Sequence, residues 1–314
     1  MKTVAVVIPT YRRPEMVRAL VSSLQKGSRL PDEIVVVDND PDRSFGASQD
    51  LALPAKSIWI GRAANVSASR NAGWRSTSSD IVFFVDDDNL VGPSTVEVIA
   101  HLADNAGFGV VAPVSYTAKD PDFVWCGGLR RSMWTTHTRL LYRGVGRLPS
   151  EESWETCDMP NAFAIPRGVL EATGGFDEVA FPIHFEEADL MMRIRSMGFG
   201  VIVARRAGVF HHIERDTSAG GIPAKELARA LTSGDPERVR AISRSRVLFH
   251  RKYGSAAQRL VARGVFLPLW LAASTVAGAF SHLPPRQRLE VLRLLWSGFF
   301  QGYRSRSTRS SHQG

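Results

Sequence analysis

The first 112 residues alternate short apolar runs with segments in which apolar residues recur every three or four positions. The recurring segments predict helices at Glu15–Lys26, Ser67–Ser76 and Ser94–His101. The apolar runs, rich in β-branched and aromatic residues, predict strands at Val4–Ile8, Glu33–Val37, Ile58–Ile60, Ile81–Val85 and Val110–Ala112. Because strands that alternate with helices form a mostly parallel sheet with helices on both faces, we expect an α/β fold.

The periodic pattern is lost between Val114 and Glu155, where Gly, Arg and aromatic residues predominate. We expect a substrate-facing insertion there. Exposed Trp side chains in loops stack on sugar rings, but a Trp is as often part of a core, and both alternatives remain open at this stage. Regular elements are predicted again further on: a strand at Ala162–Ile165, a helix at Arg167–Ala172 that ends at Gly174, a helix at Phe185–Arg193 and a strand at Val201–Ala204.

The C-terminal part has a different pattern. Residues 214–240 are polar and contain Gly220 and Gly221, which predicts a flexible loop. Residues 264–281 are uncharged but contain Pro268, and this span is marginal for a bilayer crossing, which needs about 20 apolar residues. Apolar residues then follow at helical spacing between arginines, which predicts an amphipathic helix lying on a membrane, with core or dimer packing as the alternative: Leu289, Leu292, Leu295, Trp296, Phe299 and Phe300.

Composition adds limits to this picture. A chain of 314 residues with 44% hydrophobic content can bury a full core, and two cysteines supply no disulfide framework, which fits a reducing compartment. The N-terminal apolar stretch is too short for a signal peptide. Residues 244–314 contain 12 Lys or Arg and one acid, so they carry +11; subtracting this from the net +8 leaves −3 for residues 1–243. This split favours an anionic membrane surface over nucleic acid as the tail's partner.

Candidate chemistry begins with Asp86, Asp87 and Asp88, which directly follow the predicted strand Ile81–Val85. Three adjacent carboxylates repel one another unless a divalent cation or strong hydrogen-bond donors neutralise them. Open α/β sheets bind ligands at the carboxyl ends of their strands, where these residues lie. The alternative is a solvated turn in which one Asp caps the helix that follows Pro93.

Two further groups of residues are candidates for chemistry. Glu186, Glu187 and Asp189 lie in the first turn of a predicted helix, where acids also stabilise the helix dipole, so structural capping is the alternative. His211 and His212 end a short apolar run. Two histidines near an expected metal favour a role as ligands, although a single His is more often structural.

Six short motifs occur in a fixed order: Pro9-Thr10-Tyr11, Asp38-Asn39-Asp40, Asn65–Gly73 with its Ser69-Arg70-Asn71-Ala72-Gly73 core, Asp86–Asp88, Gly174-Gly175-Phe176-Asp177-Glu178 and Phe185–Arg193. Together they resemble the family 2 inverting glycosyltransferases, including rhamnosyltransferases, over about residues 3–213. The resemblance implies a GT-A fold with a Rossmann-like, mostly parallel sheet. Residues 1–113 would form the nucleotide-sugar half, 114–243 the acceptor half and 244–314 a basic, helical, membrane-associating extension.

The resemblance also implies roles for individual residues. Pro9, Thr10, Tyr11, Asp38, Arg70, Asp86 and Asp87 match positions that contact the nucleotide. Asp86 and Asp88 match the metal motif, and His211, with His212 as the alternative, matches a histidine that contacts the metal in part of the GT-A group. The metal would be Mn²⁺ or Mg²⁺, because a departing diphosphate needs a divalent cation. Trp154, Glu186 and Asp189 are the candidates for acceptor binding.

Inversion at the anomeric carbon requires a base opposite the leaving group. The family usually has an aspartate as the second acid of a Glu-Asp pair, and this chain has Glu187 after Glu186, one methylene longer. We expect Glu187 to be the base, ahead of Glu186 and Asp189.

The function expected from the sequence is metal-dependent, inverting transfer of a hexose or deoxyhexose from a UDP- or dTDP-sugar to a hydroxyl of a lipid-linked or cell-envelope glycan. The enzyme would be cytoplasmic and peripheral on the inner face of the cell membrane. A nucleotidyltransferase is disfavoured because no glycine follows the first strand. The other alternative is a non-catalytic, membrane-associated scaffold for glycan assembly with a degenerate site.

Overall fold

The computed structural model describes residues 2–42, 55–59, 65–104, 107–212, 230 and 236–305. The chain forms two compact units. The first, which we call the sheet unit, comprises Met1–Arg130, Leu140–Glu178 and Glu187–Thr217. The second, the helical unit, comprises Arg131–Arg139, Val179–Glu186 and Ser218–Gly314. The predicted loop glycines Gly220 and Gly221 lie outside the described residues.

Every helix and strand predicted up to residue 211 is present, but some strands are longer than predicted and six strands were not predicted. The helices are α1 Pro14–Gln25, α2 Val66–Arg75, α3 Thr95–Leu102, α4 Arg167–Thr173 and α5 Glu186–Ser196. The strands are β1 Val4–Thr10, β2 Glu33–Asp38, β3 Ala55–Trp59, β4 Ile81–Val85, β5 Asn89–Val91, β6 Phe108–Thr117, β7 Asp120–Cys126, β8 Leu129–Arg131, β9 Thr138–Leu140, β10 Gly144–Val145, β11 Ser153–Glu155, β12 Ala162–Pro166 and β13 Gly200–His211.

The main sheet has the strand order β10-β7-β6-β12-β4-β1-β2-β3, and β13 pairs with β5, β6 and β11. Strands β1, β2, β3 and β4 run parallel, as do β6 and β13, while β12 is inserted antiparallel between β4 and β6. Strands β1 and β4 are buried along their whole length because helices cover both faces of a parallel sheet. The predicted α/β fold with a mostly parallel sheet is confirmed.

The segment 114–155 has more regular structure than its sequence pattern indicated. Strand β6 continues to Thr117 and pairs antiparallel with β7, while β8 to β11 are short strands. The register of β6 and β7 shifts on both sides of Tyr116. Such irregularities interrupt the alternation of inward and outward residues, so the strands leave no clean period in the sequence.

The helical unit contains α6 Pro236–Tyr253, α7 Ala256–Val261, a π-helical segment Ala262–Phe266, α8 Leu267–Ala279 and α9 Pro285–Arg304. The C-terminal helical extension is therefore confirmed. The predicted boundary between residues 243 and 244 lies inside α6, a continuous helix. Helix α9 approaches α6 closely: a Cβ at Gly298 would lie 2.2 Å from the carbonyl oxygen of Arg240.

One stretch of the described chain, Ala256–Ala279, is long and apolar enough to cross a membrane by length and composition alone, with 22% of its most apolar window buried. The core helix of a soluble protein passes the same test, so the finding is weak. Several large apolar side chains of the unit are exposed: Leu260, Val265, Leu269, Val276, Phe280, Leu289, Trp296 and Phe300.

Candidate active site

The carboxyl ends of β1, β2 and β4 lie side by side in the parallel sheet, and the candidate residues follow them. Thr10 is the register partner of Asp38. Asp86 is the residue after β4. Ligands bind at this edge in open α/β sheets, so the fold brings together the residues that the sequence analysis expected there.

Asp87 is held by residues that follow β1. The hydroxyl of Thr10 donates to one carboxylate oxygen at 2.8 Å, and Nη1 of Arg13 donates to the other at 3.1 Å. Burial raises the pKa of Asp87, and the contacts with Thr10 and Arg13 oppose that rise without cancelling it. Asp87 thus fixes the end of β1 relative to the acidic motif.

The remaining residues expected to contact a nucleotide differ in exposure. Tyr11 is half exposed, whereas Pro9 is buried within β1 and Asp38 is 2% exposed. Oδ1 of Asp38 accepts a hydrogen bond from the backbone N–H of Asp40 at 2.9 Å, which closes the turn after β2. Arg12 donates to Asp40 at 3.0 Å and has a positive φ of 56°, so the backbone is sharply bent beside Tyr11.

Arg70, which the resemblance matched to a nucleotide-contacting position, is only 1% exposed. Its Nη2 donates to Oδ1 of Asp86 at 2.9 Å, and its Nη1 donates to Oε1 of Glu187 at 3.0 Å. The guanidinium also lies 5.4 Å and 5.5 Å from the ring centres of Phe163 and Phe176. One buried cation therefore joins the acidic motif to the predicted base.

Asp86 is the most perturbed of the three acids. Its pKa is raised to about 6, because burial and the nearby charges of Asp88 and Glu187 together outweigh the lowering effect of the ion pair with Arg70. Its carboxylate is engaged by Arg70.

The motif on α2 holds this arrangement in place. The hydroxyl of Ser69 donates to Oδ1 of Asn39, and the amide of Asn71 donates to the carbonyl of Phe176 and the carboxylate of Glu178. Gly73 lies against β1, where a Cβ would come within 2.3 Å of Cγ1 of Val7. Ser69, Asn71 and Gly73 thus each have a packing or hydrogen-bonding role in this arrangement.

The Gly174–Glu178 motif ends α4 and meets α2. Gly174 has a left-handed conformation with φ 74°, as expected for a residue that ends a helix. Gly175 also has a positive φ, and a Cβ there would lie 2.5 Å from Oδ1 of Asn71. Only glycine fits this close approach.

Asp88 pairs with His211. Nε2 of His211 lies 3.4 Å from Oδ1 of Asp88, and strand β13 brings the two together because His211 is the register partner of Asn89 in β5. Burial opposes ionisation of Asp88, but His211 and Arg13 outweigh it and leave its pKa below the ordinary value. The side chain of His212 is exposed, and only its backbone N–H contacts Asp88, at the carbonyl.

The described residues contain no group of three or more His, Cys, Asp and Glu side chains arranged to hold a metal ion. The two-residue pair of Asp88 and His211 nevertheless offers a carboxylate oxygen and an imidazole nitrogen. Mg²⁺ and similar ions are often held by one or two carboxylates, with substrate phosphates completing the set. The carboxylate of Asp88 and the imidazole of His211 fit a metal site of this kind, in which the substrate supplies the remaining ligands. The carboxylate of Asp86 is instead paired with Arg70.

The predicted base, Glu187, is the second residue of helix α5. Glu187 has 18% of its side chain exposed, and Arg70 contacts its Oε1, while Oε2 makes no hydrogen bond within the described part of the chain. The two residues before the helix, His184 and Phe185, both have positive φ values, 61° and 66°. Backbone strain of this kind in non-glycine residues clusters at functional sites.

Two acids expected to contact an acceptor are buried instead. Asp189 is 0% exposed, and its Oδ2 pairs with Arg193 at 2.9–3.0 Å. Glu186 is 5% exposed. The acceptor role expected for Glu186 and Asp189 stays a prediction, and the burial of both side chains speaks against it. Arg193 also donates to the carbonyls of Thr173 and Gly175, so Asp189 supports the Gly174–Glu178 segment.

The tryptophans of residues 114–155 fall into different classes. Trp125 is a core residue, 8% exposed, whose ring centre lies 4.8 Å from that of His211. Trp154 is half-buried, its indole N–H donates to the carbonyl of Gly127, and Tyr142 packs edge-on against it. Trp134 is 49% exposed.

The sequence analysis missed two residues of the site. Arg13 contacts both Asp87 and Asp88, at 3.1 Å and 3.4 Å. Asn161 accepts the backbone N–H of Asp86 at its carbonyl, and its side-chain amide lies 3.3 Å from Nδ1 of His211. The available signal for Asn161 was its type, since Asn tolerates the positive φ of 69° that it adopts next to Pro160.

Comparison with known proteins gives similarities in sequence. The profile of glycosyl transferase family 2 matches residues 5–173. The O-antigen biosynthesis protein RfbC of Myxococcus xanthus is 24% identical over 232 residues, which are 70% of this chain and 18% of that protein. The chain thus spans less than a fifth of the length of this relative.

Two solved structures share the fold. A crystal structure of GalNAc-T7 with UDP, GalNAc and Mn²⁺ has a TM-score of 0.58 at 14% identity, covering 84% of this chain and 55% of that chain. The mannosyltransferase PcManGT of Pyrobaculum calidifontis, in complex with GDP-Man and Mn²⁺, has a TM-score of 0.56 at 15% identity, covering 96% and 84%. These likenesses agree with the GT-A fold expected from the sequence.

Proposed function

The chain belongs to glycosyl transferase family 2, and we propose that it is a metal-dependent, inverting glycosyltransferase that uses a nucleotide sugar as donor. The observation that carries the proposal is the grouping of Asp88 with His211, and of Arg70 with Asp86 and Glu187, at the carboxyl ends of parallel strands. The bound ligands of the two structural neighbours, UDP or GDP-Man with Mn²⁺, support it.

We propose that Asp88 and His211 hold the divalent cation, Mn²⁺ or Mg²⁺, with the donor diphosphate supplying further ligands. When bound, the cation stabilises the negative charge that develops on the departing diphosphate. Asp88 suits this role because its pKa lies below the ordinary value, so it is ionised at neutral pH. The side-chain amide of Asn161 lies 3.3 Å from Nδ1 of His211 and fixes the orientation of the ring, so that Nε2 faces Asp88.

Glu187 is our proposed base. Inversion by a single displacement requires a carboxylate that removes the proton of the acceptor hydroxyl as the oxygen attacks the anomeric carbon. Arg70 holds Oε1 and leaves Oε2 for that proton. Arg70 and Asp86 act as positioning residues here, since the buried guanidinium of Arg70 is bonded to the carboxylates of both Asp86 and Glu187.

We assign residues to donor and acceptor binding by how far their side chains are exposed. Tyr11 is the exposed aromatic at the end of β1, and Thr10 and Asp38 shape the floor of the proposed nucleoside site. Trp154 remains our candidate for stacking against a sugar ring of the acceptor. It is half-buried, and the hydrogen bond from its indole N–H to the carbonyl of Gly127 fixes the orientation of its ring. We propose a UDP- or dTDP-sugar as donor.

We propose a lipid-linked or cell-envelope glycan as acceptor, and peripheral attachment to the inner face of the cell membrane. The O-antigen function in the name of RfbC supports the envelope acceptor. The basic charge of residues 244–314 and the exposed apolar side chains of α8 and α9 support attachment.

The test is transfer activity with a panel of UDP-, dTDP- and GDP-sugars, with Mn²⁺ or Mg²⁺ and with EDTA. We expect activity that EDTA abolishes and that Glu187→Gln lowers about 100-fold or more, since a general base contributes at least that much. Glu171→Gln, at an exposed acid on α4, is the matched control. Full activity of Glu187→Gln contradicts the base assignment, and absence of both transfer and nucleotide binding with metal favours a non-catalytic scaffold.

A further inference from the structure

The helical unit encloses a cavity that the proposed active site does not use. Its volume is about 330 Å³, and it lies among the end of α6, helix α7, the π-helical segment and α9. The polar residues that line it are one histidine, three arginines and one tyrosine: His250, Arg251, Arg259, Arg263 and Tyr303. No acid lines this cavity, so its walls carry a net positive charge.

Two residues that line this cavity each have a buried polar atom without a hydrogen-bond partner within the described part of the chain: Nε2 of His250 and the hydroxyl of Tyr303. His250 is only 2% exposed. Its Nδ1 lies 2.8 Å from the carbonyl oxygen of Arg246 and therefore carries the proton, which leaves Nε2 as an acceptor. Because buried polar groups are nearly always paired, these two atoms indicate a ligand that offers both a donor and an acceptor.

The arginines add charge that the protein does not neutralise there. None of Arg251, Arg259 and Arg263 forms an ion pair with a described residue: Arg251 and Arg259 donate to backbone carbonyls, and Arg263 stacks on the ring of Tyr303 at 5.5 Å. Arg259 and Arg263 are four residues apart in one helical stretch, and like charges at this spacing repel. An anion between them would relieve that repulsion.

The backbone that carries Arg263 is unusual as well. In the π-helical segment the N–H of Leu267 bonds to the carbonyl of Ala262, five residues earlier. Pro268 explains the widened turn, since it has no N–H to donate and its ring clashes with the carbonyl four residues before it. Single π turns inside helices occur frequently at functional sites.

We propose that this cavity binds a phosphate monoester. Guanidinium groups and the Tyr303 hydroxyl donate to anionic phosphate oxygens, and the monoanion keeps one P–OH that donates to Nε2 of His250. Leu260 lines the same cavity and is 74% exposed, and Leu269 on α8 is 60% exposed. An alkyl chain on the ester therefore has apolar surface to lie on, although inorganic phosphate shares the same headgroup chemistry. The site is separate from the proposed transfer reaction.

The test is calorimetric titration of the full chain, without donor or metal, using inorganic phosphate, dihexanoyl phosphatidic acid and, as a control, dihexanoyl phosphatidylcholine. We expect Arg263→Gln and Tyr303→Phe each to weaken binding of the phosphate probes about tenfold, which corresponds to loss of one charge-assisted hydrogen bond. Arg293→Gln on α9, which is exposed and outside the cavity, should leave binding unchanged.

The outcomes distinguish a lipid headgroup from free phosphate as the ligand of the cavity. Binding of both phosphate probes, or of phosphatidic acid alone, supports the site if the two variants weaken it, and the second pattern assigns a lipid source. No binding of either probe, or equal binding by wild type and both variants, overturns the proposal. Because donor and metal are omitted, failure here leaves the transfer reaction untouched.

Discussion

The guanidinium of Arg70 donates to Oε1 of Glu187 at 3.0 Å, although 117 residues separate the two in the sequence. The same guanidinium holds Asp86, so a charge that is 1% exposed sits between two carboxylates. The position of the proposed base is thereby coupled to the end of β4.

We predict that Arg70→Gln destabilises the protein by about 3–5 kcal/mol, because Arg70 is buried and its removal leaves two partly buried carboxylates without a compensating charge. The free energy of unfolding is measured by urea titration at pH 7. Arg75→Gln, whose side chain is 54% exposed and pairs with Glu178, should cost about 1 kcal/mol or less. Equal losses of stability for the two variants would show that burial of the Arg70 guanidinium does not strengthen its ion pairs.

We predict that His211→Ala weakens Mn²⁺ binding in the presence of UDP at least tenfold, since a first ligand is lost. His212→Ala should have no such effect, because its side chain is exposed and does not contact Asp88. Electron paramagnetic resonance of free Mn²⁺ measures the affinity. The reverse order of the two variants would assign the ligand to His212.

We predict that Gly73→Ala costs about 1–3 kcal/mol of stability, because the added methyl group would meet Val7 and Val37 at 2.3 Å and 3.1 Å. Gly168→Ala in α4 is the matched control, since no atom lies within 4 Å of its added Cβ. Alanine should stabilise that helix slightly. Thermal unfolding of the three proteins checks the prediction, which fails if Gly73→Ala melts with wild type.

His250 makes stability depend on pH. Burial, together with Arg246 and Arg131, lowers the pKa of His250 from 6.5 to about 3. The unfolded chain therefore binds a proton as the pH falls below about 6.5, while the folded chain does not, so the contribution to stability is complete above that pH and declines toward pH 3.

The test compares urea unfolding of wild type, His250→Gln and His282→Gln at pH 7, 6 and 5 in phosphate-free buffers. We expect a shallower loss of stability on acidification for His250→Gln, and wild-type behaviour for the exposed His282. Identical pH slopes for all three would contradict the shifted pKa.

We predict that Leu289→Glu combined with Phe300→Glu reduces binding to vesicles of anionic phospholipid without changing the urea midpoint. Both side chains are exposed on α9, 71% and 49%, so the substitutions remove apolar contact area and add repulsion. Vesicle sedimentation measures binding. Val145→Glu, at an exposed position in the sheet unit, is the control. If the double variant sediments with vesicles as wild type does, the proposed membrane attachment through α9 is wrong.

The local elements of the sheet unit could be predicted from the sequence because helices and strands leave periods of 3.6 and 2 in the positions of apolar residues. The helix at Val66–Arg75 and the strand at Ile81–Val85 lie within a residue of the predicted positions. The convergence of Thr10, Asp38 and Asp86 was predictable too, because parallel strands present their carboxyl ends at one edge.

Pairing across long separations was not predictable. Which acid meets which cation depends on the tertiary fold: Asp86 meets Arg70, and Asp88 meets His211 across 123 residues. The strands of residues 114–155 are mostly short and include irregular register, so they leave only a weak pattern of apolar residues in the sequence.

The sequence by itself determined the order of elements, the acidic motif and the basic tail, since these are properties of neighbouring residues. The tertiary structure decided which side chains are buried and which are exposed. It placed Arg70 and Asp189 inside, left Glu187 partly exposed, and gathered three arginines around a cavity, because exposure depends on what the rest of the chain packs against each side chain.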